Sequence, residues 1–456
     1  MITAYPLDKK RVLVVGMVRS GIAAAKLLLK QGAHPILNDL KERSSLSGLD
    51  AIDDARVEWA LGQPPDALLD RVDLVVISPA VPIQSDWIEK ARAKNVKVIG
   101  ELELGASYAD GPIAAITGTN GKTTTTTLLG DMLSNAGKCV HVVGNIGNPV
   151  SGAAADARQG DMFVIEVSSF QMESAPTFRP HVGALLNITP DHLNRHGDMN
   201  TYIALKKHMF ENQTGADSRV VNADDPLTAA LLGGLPGRNM SFSRKMETPL
   251  GAFLRGSDII LRQESGERAL CAAEEVRIPG AHNLENAMAA ACMAATLDVP
   301  PPVIRHTLRT FAGVVHRIET VRVLDEVTYI NDSKGTNVDS TLRAIDTMRV
   351  PTVIILGGYD KHVSFDELAE AVKRSPMMAA VVLIGDTAEQ IRAALAKAGY
   401  EAVHDAGHDF VKAIETSRSL AKPGWNVLLS PACASFDMFE DYEHRGREFR
   451  RIVESL

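Results

Sequence analysis

Cysteine is scarce in this chain. Cys139, Cys271, Cys292 and Cys433 are its four cysteines, far apart and without a C-x-x-C pair. That argues against a disulfide-stapled secreted domain and predicts buried free thiols in a reducing cytosol. A basic excess is missing too. The net charge of -8 disfavours a nucleic-acid binder, which would present a basic surface, and leaves room for a local basic pocket around a phosphorylated small molecule. No apolar run is long enough to span a bilayer. The opening MITAYPLDKKRVLVVG leads straight into an apolar strand, without the long apolar region and small-residue cleavage site of a signal peptide. Low-complexity tracts and repeats at solenoid periods are absent as well. These absences predict a soluble cytoplasmic protein.

What is present is length and alternation. At 456 residues the chain exceeds one ordinary core, and roughly two to four domains are expected. RVLVVG (11–16) precedes a helical pattern over 21–31, then HPILND ending at Asp39, VDLVVISPA (72–80) and NVKVIG (95–100). A second block carries IAAITG (113–118), CVHVVG (139–144), DMFVIEVSS (161–169), VGALLNIT (182–189) and SRVVNAD (218–224). Between 251 and 278 the texture changes to short antiparallel strands with polar turns. An alanine- and methionine-rich helix follows from His282, with a stop at Pro300. A third block starts near Gly313 with VTYINDS, TVIILGG, AVVLIGD and NVLLSPA. Strand alternating with helix implies parallel sheets with helices on their faces, here as three α/β domains in tandem over 1–100, 101–312 and 313–456.

AAITGTNGKTTTTTLL (114–129) has the parts of a phosphate-binding loop at an unusual spacing. G-x-x-x-x-G-K-[ST] needs a glycine six residues before the lysine, and six before Lys122 stands Ile116; the loop here is the shorter G-T-N-G-K-T. Gly118 and Gly121 can take positive φ and expose consecutive N–H groups, with Thr119 and Asn120 between them. A helix from Thr123 onward would turn its N-terminal end to an anion. Lys122 supplies a point charge for β and γ phosphates, and Thr123 a hydroxyl for magnesium. The competing description is a glycine turn with an incidental lysine; the order strand, glycine loop, helix disfavours it. Glu166 closes the next apolar strand, and Asn187, Asp191 and His192 follow the one after. Open α/β sheets gather ligands at that edge, and hard oxygens suit magnesium.

GTNGKTT, GNIG (144–147), EVSSFQME (166–173), NITPDHLNRHG (187–197), HNLENA (282–287), HRIE (316–319), INDSKGTN (330–337) and LSPACASFDMF (429–439) together resemble the Mur ligases. The resemblance spans all three blocks, from VLVVG to the C-terminal EHRGREF. The short loop is shared with the wider Mur and folylpolyglutamate ligase superfamily, whereas EVSSFQME and SPACASFDMF resemble the D-glutamate-adding branch. The resemblance implies a Rossmann-like N-terminal domain (1–100) for a UDP-sugar nucleotide. It implies a central P-loop ATPase-like domain (101–312) with a small antiparallel β segment for ATP, and a Rossmann-like C-terminal domain (313–456) for the amino acid. The implied activity is ATP-dependent addition of D-glutamate to UDP-N-acetylmuramoyl-L-alanine through an acyl phosphate, giving ADP and phosphate, in the cytoplasmic stage of peptidoglycan synthesis. The implied partners are those small molecules, without nucleic acid or membrane insertion, and the implied state is a monomer.

The resemblance also assigns residues. Gly118, Thr119, Asn120, Gly121, Lys122, Thr123 and Thr124 would hold the ATP phosphates. Asn283 and Asn286 would meet its adenine end, with helix capping an added role for Asn283. Arg317 and Asp332 would reach the nucleotide from the third domain. Two Mg2+ ions are implied, with Thr123 and Glu166 near one and His192 at the other. Lys206 would serve a magnesium site as a carbamate formed with CO2, which turns a cation into an anion. Its neighbour Lys207 competes, and the spacing from Tyr202 favours Lys206; unmodified, Lys206 would be an exposed helix lysine. Lys334 and Thr336 would lie near the reacting groups. Thr336, Lys361, Ser435 and Phe436 would receive D-glutamate, whose two carboxylates require fixed donors; Ser435 could equally cap the following helix. Lys122, His192, Lys206 and Lys334 are the catalytic candidates. Arg19, Ser20, Asp39, Ser78, Asn145 and His192 would bind the UDP substrate. There GMVRSG departs from G-x-G-x-x-G: Val18 stands at the middle glycine, which puts a close backbone approach to a pyrophosphate in question.

Other functions fit parts of this pattern. A folylpolyglutamate synthase lacks a UDP-binding first domain of this kind. The diaminopimelate-adding branch carries a DNPR-type motif, and GGYDK stands in the comparable region here. A nucleotide-regulated binding protein would keep the phosphate loop and lose Lys334, Lys361 and Ser435, all of which are present. A dehydrogenase rests on VLVVGMVRSG alone.

Overall fold

The computed structural model describes residues 4–456, and three sheets organise them. The first has five parallel strands in the order Glu58–Leu61, His34–Asp39, Arg11–Val15, Leu74–Ile77 and Lys97–Gly100. Its middle strand shows why the chain folds here. Val12 and Val14 enter one hydrophobic cluster, Leu13 and Val15 the other. A strand apolar on both faces is stable only between two helical layers. The chain winds to one side of Arg11–Val15 and then to the other, so a crevice opens beyond Val15 and Ile77.

The second sheet has nine strands. Ile113–Thr117 lies inside it, between Val182–Leu185 and Met162–Glu166, all parallel. Val140–Gly144 closes one side; Ser218–Asn222 and Arg238–Ser243 continue the other. The antiparallel segment expected over 251–278 is present and extends this same sheet. Gly251–Arg255 pairs in parallel with Arg238–Ser243, and Asp258–Gln263 and Gly266–Ala272 add an antiparallel meander. The helix Ala281–Thr296 ends ahead of Pro300, and that proline instead caps the next helix, Pro301–Thr310. Proline is compatible with a helix start and hostile to its interior, so one residue marks both boundaries.

The third sheet has six strands: Glu319–Leu324, Val327–Asn331, Asn426–Leu429, Thr352–Gly357, Met378–Ile384 and Val403–Asp405, parallel except for the first pair. Val353 and Ile355 face one core, Ile354 and Leu356 the other. The chain divides into two compact units. One takes residues up to 188, 196–276 and 285–311 and holds the first two sheets; the other takes 189–195, 277–284 and 312–456 and holds the third.

Candidate functional sites

Ile113–Thr117 is buried throughout and delivers the chain to Gly118. At Gly121 φ is +85° and a β-carbon would stand 2.2 Å from Asn286 Oδ1, so only glycine fits. The helix Lys122–Asn135 starts on the next residue without a side-chain cap, turning its first N–H groups to the loop. Asn187 fastens that loop. Its Oδ1 accepts from Asn120 N at 2.9 Å, its Nδ2 donates to Asn120 O at 3.0 Å, and its backbone O accepts from Thr119 N at 3.0 Å. In the sequence Asn187 was visible only as a strand-end residue.

Two lysines reach one carbonyl. Lys122 Nζ donates to Gly118 O at 3.0 Å and to Thr119 O at 2.8 Å; Lys206 Nζ donates to Gly118 O at 2.8 Å. Lys206 is 1% exposed, which corrects the expectation of an exposed helix lysine. It lies on the buried face of the helix Met199–Glu211, one turn after Tyr202, whose ring sits 4.5 Å from its Nζ. Glu166 pairs in register with Ile116 on the adjacent strand. Its buried carboxylate accepts from Asn145 Nδ2 at 2.8 Å, and its backbone O accepts from Asn145 N at 2.9 Å. Asn145, expected at the sugar nucleotide, is thus bonded to an expected metal ligand. Thr123 and Thr124 are buried at the helix start, and Thr124 Oγ1 has no hydrogen-bond partner among the described residues. A glycine cradle, an orphan hydroxyl, a carboxylate and two cations form a donor set that fits a magnesium-bound triphosphate. Asn286 stands against this loop at Gly121, while Asn283 Nδ2 donates to Pro279 O at 2.6 Å.

Beyond the first sheet lies a cavity of about 890 Å³ lined by Arg19, Ser20, Asp39 and Ser78. Trp87 and Lys90, which sequence reasoning did not single out, line it as well. Asp39 Oδ2 accepts from Met17 N at 2.8 Å and Ser78 Oγ donates to Gly16 O at 2.7 Å, so both side chains shape the glycine turn. A β-carbon on Gly21 would lie 2.1 Å from Gly16 O. Gly16 takes φ +94° and Gly21 has no room for a β-carbon, so the first and last glycines of GMVRSG are required by conformation and by packing respectively. Val18 is 62% exposed and lines this same cavity; most of it is free of packing, which is why a branched residue is tolerated there. Arg19 Nη2 donates to Gly147 O, linking this turn to the loop that carries Asn145.

In the second unit, a cavity of about 650 Å³ brings together His192, Thr336 and Lys361. Lys361 Nζ donates to Thr336 O at 3.3 Å. His192 has φ +54°, a conformation that costs a non-glycine residue about 1 kcal/mol or more. Asp191 holds it, accepting from His192 N at 3.0 Å, and is itself bonded by Asn337 Nδ2 at 3.2 Å. Burial pushes the Asp332 carboxyl up to about 6, against the opposing effects of Arg317 and of the Ser430 hydroxyl. Arg317 Nε is buried without a hydrogen-bond partner among the described residues, a donor that an anion would satisfy. Lys334 Nζ donates to Tyr442 Oη at 3.1 Å. Ser435 is buried, and its backbone O accepts from Phe439 N at 2.8 Å. Phe436 is 65% exposed and packs edge-on against Tyr359.

Arg445 was missed. Its guanidinium is buried and donates to Ser333 Oγ and O at 2.9 and 2.8 Å and to Cys433 O at 3.1 Å. Burial pushes it down to about 10. It ties the loop of Lys334 to the loop of Ser435, a link between residues more than a hundred positions apart that only the folded chain reveals.

Comparison with known proteins agrees with this layout. Residues 10–100 match the Mur ligase MurD-like N-terminal domain, 116–294 the Mur ligase middle domain and 316–433 the Mur ligase glutamate ligase domain. The UDP-N-acetylmuramoylalanine–D-glutamate ligase of Pelotomaculum thermopropionicum is 44% identical, with 98% of each chain covered. The chain belongs to the Mur ligase family. The enzyme of the same name from Clostridioides difficile is 43% identical over 99% of each chain. Among solved Mur ligase structures, the UDP-N-acetylmuramate–alanine ligase of Thermotoga maritima superposes with a TM-score of 0.62 at 20% identity, covering 98% of this chain and 99% of that one. A pseudomurein peptide ligase type C from Methanothermus fervidus gives 0.61 at 20% identity, covering 98% of this chain and 100% of that one. At such identities the likeness is one of fold.

Proposed function

We propose that this Mur ligase joins D-glutamate to the alanyl carboxylate of UDP-N-acetylmuramoyl-L-alanine while converting ATP to ADP and phosphate. The observation that carries the ATP step is the convergence of Lys122, Lys206 and the glycine cradle on Gly118, beside the strand that ends in Glu166. The choice of D-glutamate is supported by relatives of that name that match the chain end to end.

A carboxylate does not acylate an amine at neutral pH, because oxide would have to leave. Transfer of the γ-phosphoryl group to the carboxylate makes an acyl phosphate, which the amine of D-glutamate attacks; amide and phosphate result. The protein's part is positioning and charge neutralisation. Lys122 and the helix start hold the triphosphate. Thr123 and Glu166 would hold one magnesium and His192 would serve a second; bound magnesium neutralises charge on the phosphates and the attacking carboxylate. The buried Lys206 ammonium and the half-buried Lys122 ammonium share Gly118 O and repel each other. Converting Lys206 to a carbamate with CO2 removes that repulsion and supplies two anionic oxygens. Lys361, Thr336 and Ser435 receive the carboxylates of D-glutamate, and Arg317 and Asp332 serve the nucleotide. The first-sheet cavity takes the UDP moiety. The enzyme works as a cytoplasmic monomer, with domain boundaries near 100 and 312.

The test is phosphate release from ATP with UDP-N-acetylmuramoyl-L-alanine and magnesium, in bicarbonate-containing and CO2-depleted buffer, with D-glutamate, L-glutamate or no amino acid and with product mass recorded. A glutamyl adduct with D-glutamate alone is expected, with less turnover on CO2 depletion. Adduct with another amino acid alone would overturn the D-glutamate assignment and keep the ligase.

A further inference from the structure

One buried polar cluster has no task in that mechanism. His196 closes the short helix Leu193–His196, and its side chain is 1% exposed. Its Nε2 lies 2.9 Å from Ser169 Oγ and its Nδ1 3.4 Å from Glu173 Oε1. The imidazole packs on the ring of Phe170 at 5.2 Å and on that of Tyr202 at 5.6 Å. Tyr202 is buried in turn, with its hydroxyl 3.0 Å from Thr119 Oγ1 in the phosphate loop and its ring beneath Lys206.

Serine, histidine and carboxylate in this order are the groups of a nucleophilic triad. Burial excludes that use here: Ser169 is 4% exposed, too enclosed for a substrate to reach its hydroxyl. Replacing a buried polar cluster by apolar side chains of similar volume is often neutral or stabilising, so stability alone does not account for it. Its connections do. Ser169 opens the short helix Ser169–Met172, three residues after Glu166, and Glu173 closes it. Tyr202 and Lys206 share the helix Met199–Glu211. Thr119 belongs to the phosphate loop. His196 touches the first two of these segments directly and reaches the third through Tyr202.

We propose that His196 is a positioning residue for the nucleotide site, holding the segment after Glu166 against the helix of Tyr202 and Lys206 and, through Tyr202, setting the phosphate loop. The inference rests on the ATP-ligase assignment of that loop. Its physical basis is geometric: a misplacement of about 1 Å in a phosphoryl-transfer site costs up to about 100-fold in rate.

Three variants test it: His196→Phe, which keeps a ring but removes both polar contacts, and Ser169→Ala and Tyr202→Phe, which each delete one hydroxyl and spare the packing. The readouts are affinity for a fluorescent ADP analogue with magnesium, kcat and KM for ATP, affinity for the UDP-sugar substrate, and Tm. His196→Phe should weaken the nucleotide and lower kcat about tenfold, and each hydroxyl deletion about fivefold. UDP-substrate affinity should stay within about twofold, and Ser169→Ala should add little in the His196→Phe background. If His196→Phe does not fold, the two hydroxyl deletions decide by the same readouts. A fall in Tm with unchanged nucleotide affinity and kcat would overturn the proposal, as would equal weakening of both ligands. Wild-type protein that binds nucleotide but forms no amide would remove the ligase assignment and leave the affinity series as the test of the brace. Wild-type protein that binds no nucleotide would overturn both.

Discussion

The first unit builds the same turn twice. Arg11–Val15 runs through Gly16 into the helix Arg19–Lys30, and Ile113–Thr117 runs through Gly118 into Lys122–Asn135. In both, a side chain at or just beyond the end of a neighbouring strand grips the turn. In the first it is Asp39, on Met17 N; in the second it is Asn187, on Asn120 N and O. The first turn exposes Val18 at its helix start, whereas the second gathers Lys122 and Lys206. An anionic clamp repels phosphate and attracts hydroxyl or N–H donors of a sugar or base. A neutral clamp beside the Lys122 ammonium and a helix start suits a triphosphate. Strand, glycine turn and helix make an anion-ready frame, and the residue at the end of the next strand decides what the frame holds.

Exchanging the charges should break this contrast most severely at the second turn. Lys122→Met is expected to lower kcat by about 100- to 1000-fold, as loss of one preorganised positive donor does elsewhere, with the fold intact by circular dichroism; phosphate release measures it. At the first turn the effect should be smaller and fall on the other substrate. Asp39→Ala should raise KM for the UDP-sugar substrate about tenfold through the lost Met17 bond and leave KM for ATP unchanged, read from paired titrations.

Glu101 sharpens the comparison, because it joins the two regions. It follows the last strand of the first sheet, and its Oε1 accepts from Ser151 N at 2.6 Å at the start of the helix Val150–Asp156. Burial pushes its carboxyl up to about 7, against the opposing Ser151 hydrogen bonds. An acid whose folded-state value is raised binds its proton more tightly when folded. Stability should therefore fall as pH rises from about 4.5, the unfolded value, to about 7. Glu101→Gln should flatten that segment of the Tm-versus-pH curve, and identical curves for the two proteins would contradict the assignment. The smallest effect is expected at Val18→Gly. An exposed position away from the core should change stability, read as Tm, by no more than about 0.5 kcal/mol, and because Val18 lines the first-sheet cavity any effect falls on the UDP-substrate KM, whereas Gly21→Ala beside it should clash with Gly16 O.

Much of this was legible in one dimension. Strands buried on both faces, such as Ile113–Thr117 and Thr352–Gly357, announce themselves as unbroken apolar runs, and the glycine loop is local by nature. The edge strands Glu58–Leu61, Glu319–Leu324 and Val403–Asp405 were not singled out. An edge strand is half exposed, and its mixed polarity resembles a loop. Lys206 was implied by the family resemblance, with the spacing from Tyr202 favouring it over Lys207, but its environment was misjudged, since no local signal says that a helix turns a lysine inward. Arg445 gave no signal of its own and Asn187 showed only as a strand-end residue, because what they do is defined by carbonyls and amides distant in sequence.

The sequence by itself determined the three alternating α/β blocks, the phosphate loop and the residue types available to it, because period, glycine placement and strand order are local properties of the chain. Tertiary structure decided that two lysines converge on Gly118 O, that Val18 lines the first-sheet cavity, that Asp39 and Asn187 grip the two turns, and that Arg445 and His196 bind distant segments together. These are decisions about which side chain meets which, and burial and hydrogen-bond satisfaction settle them only once the sheets have packed.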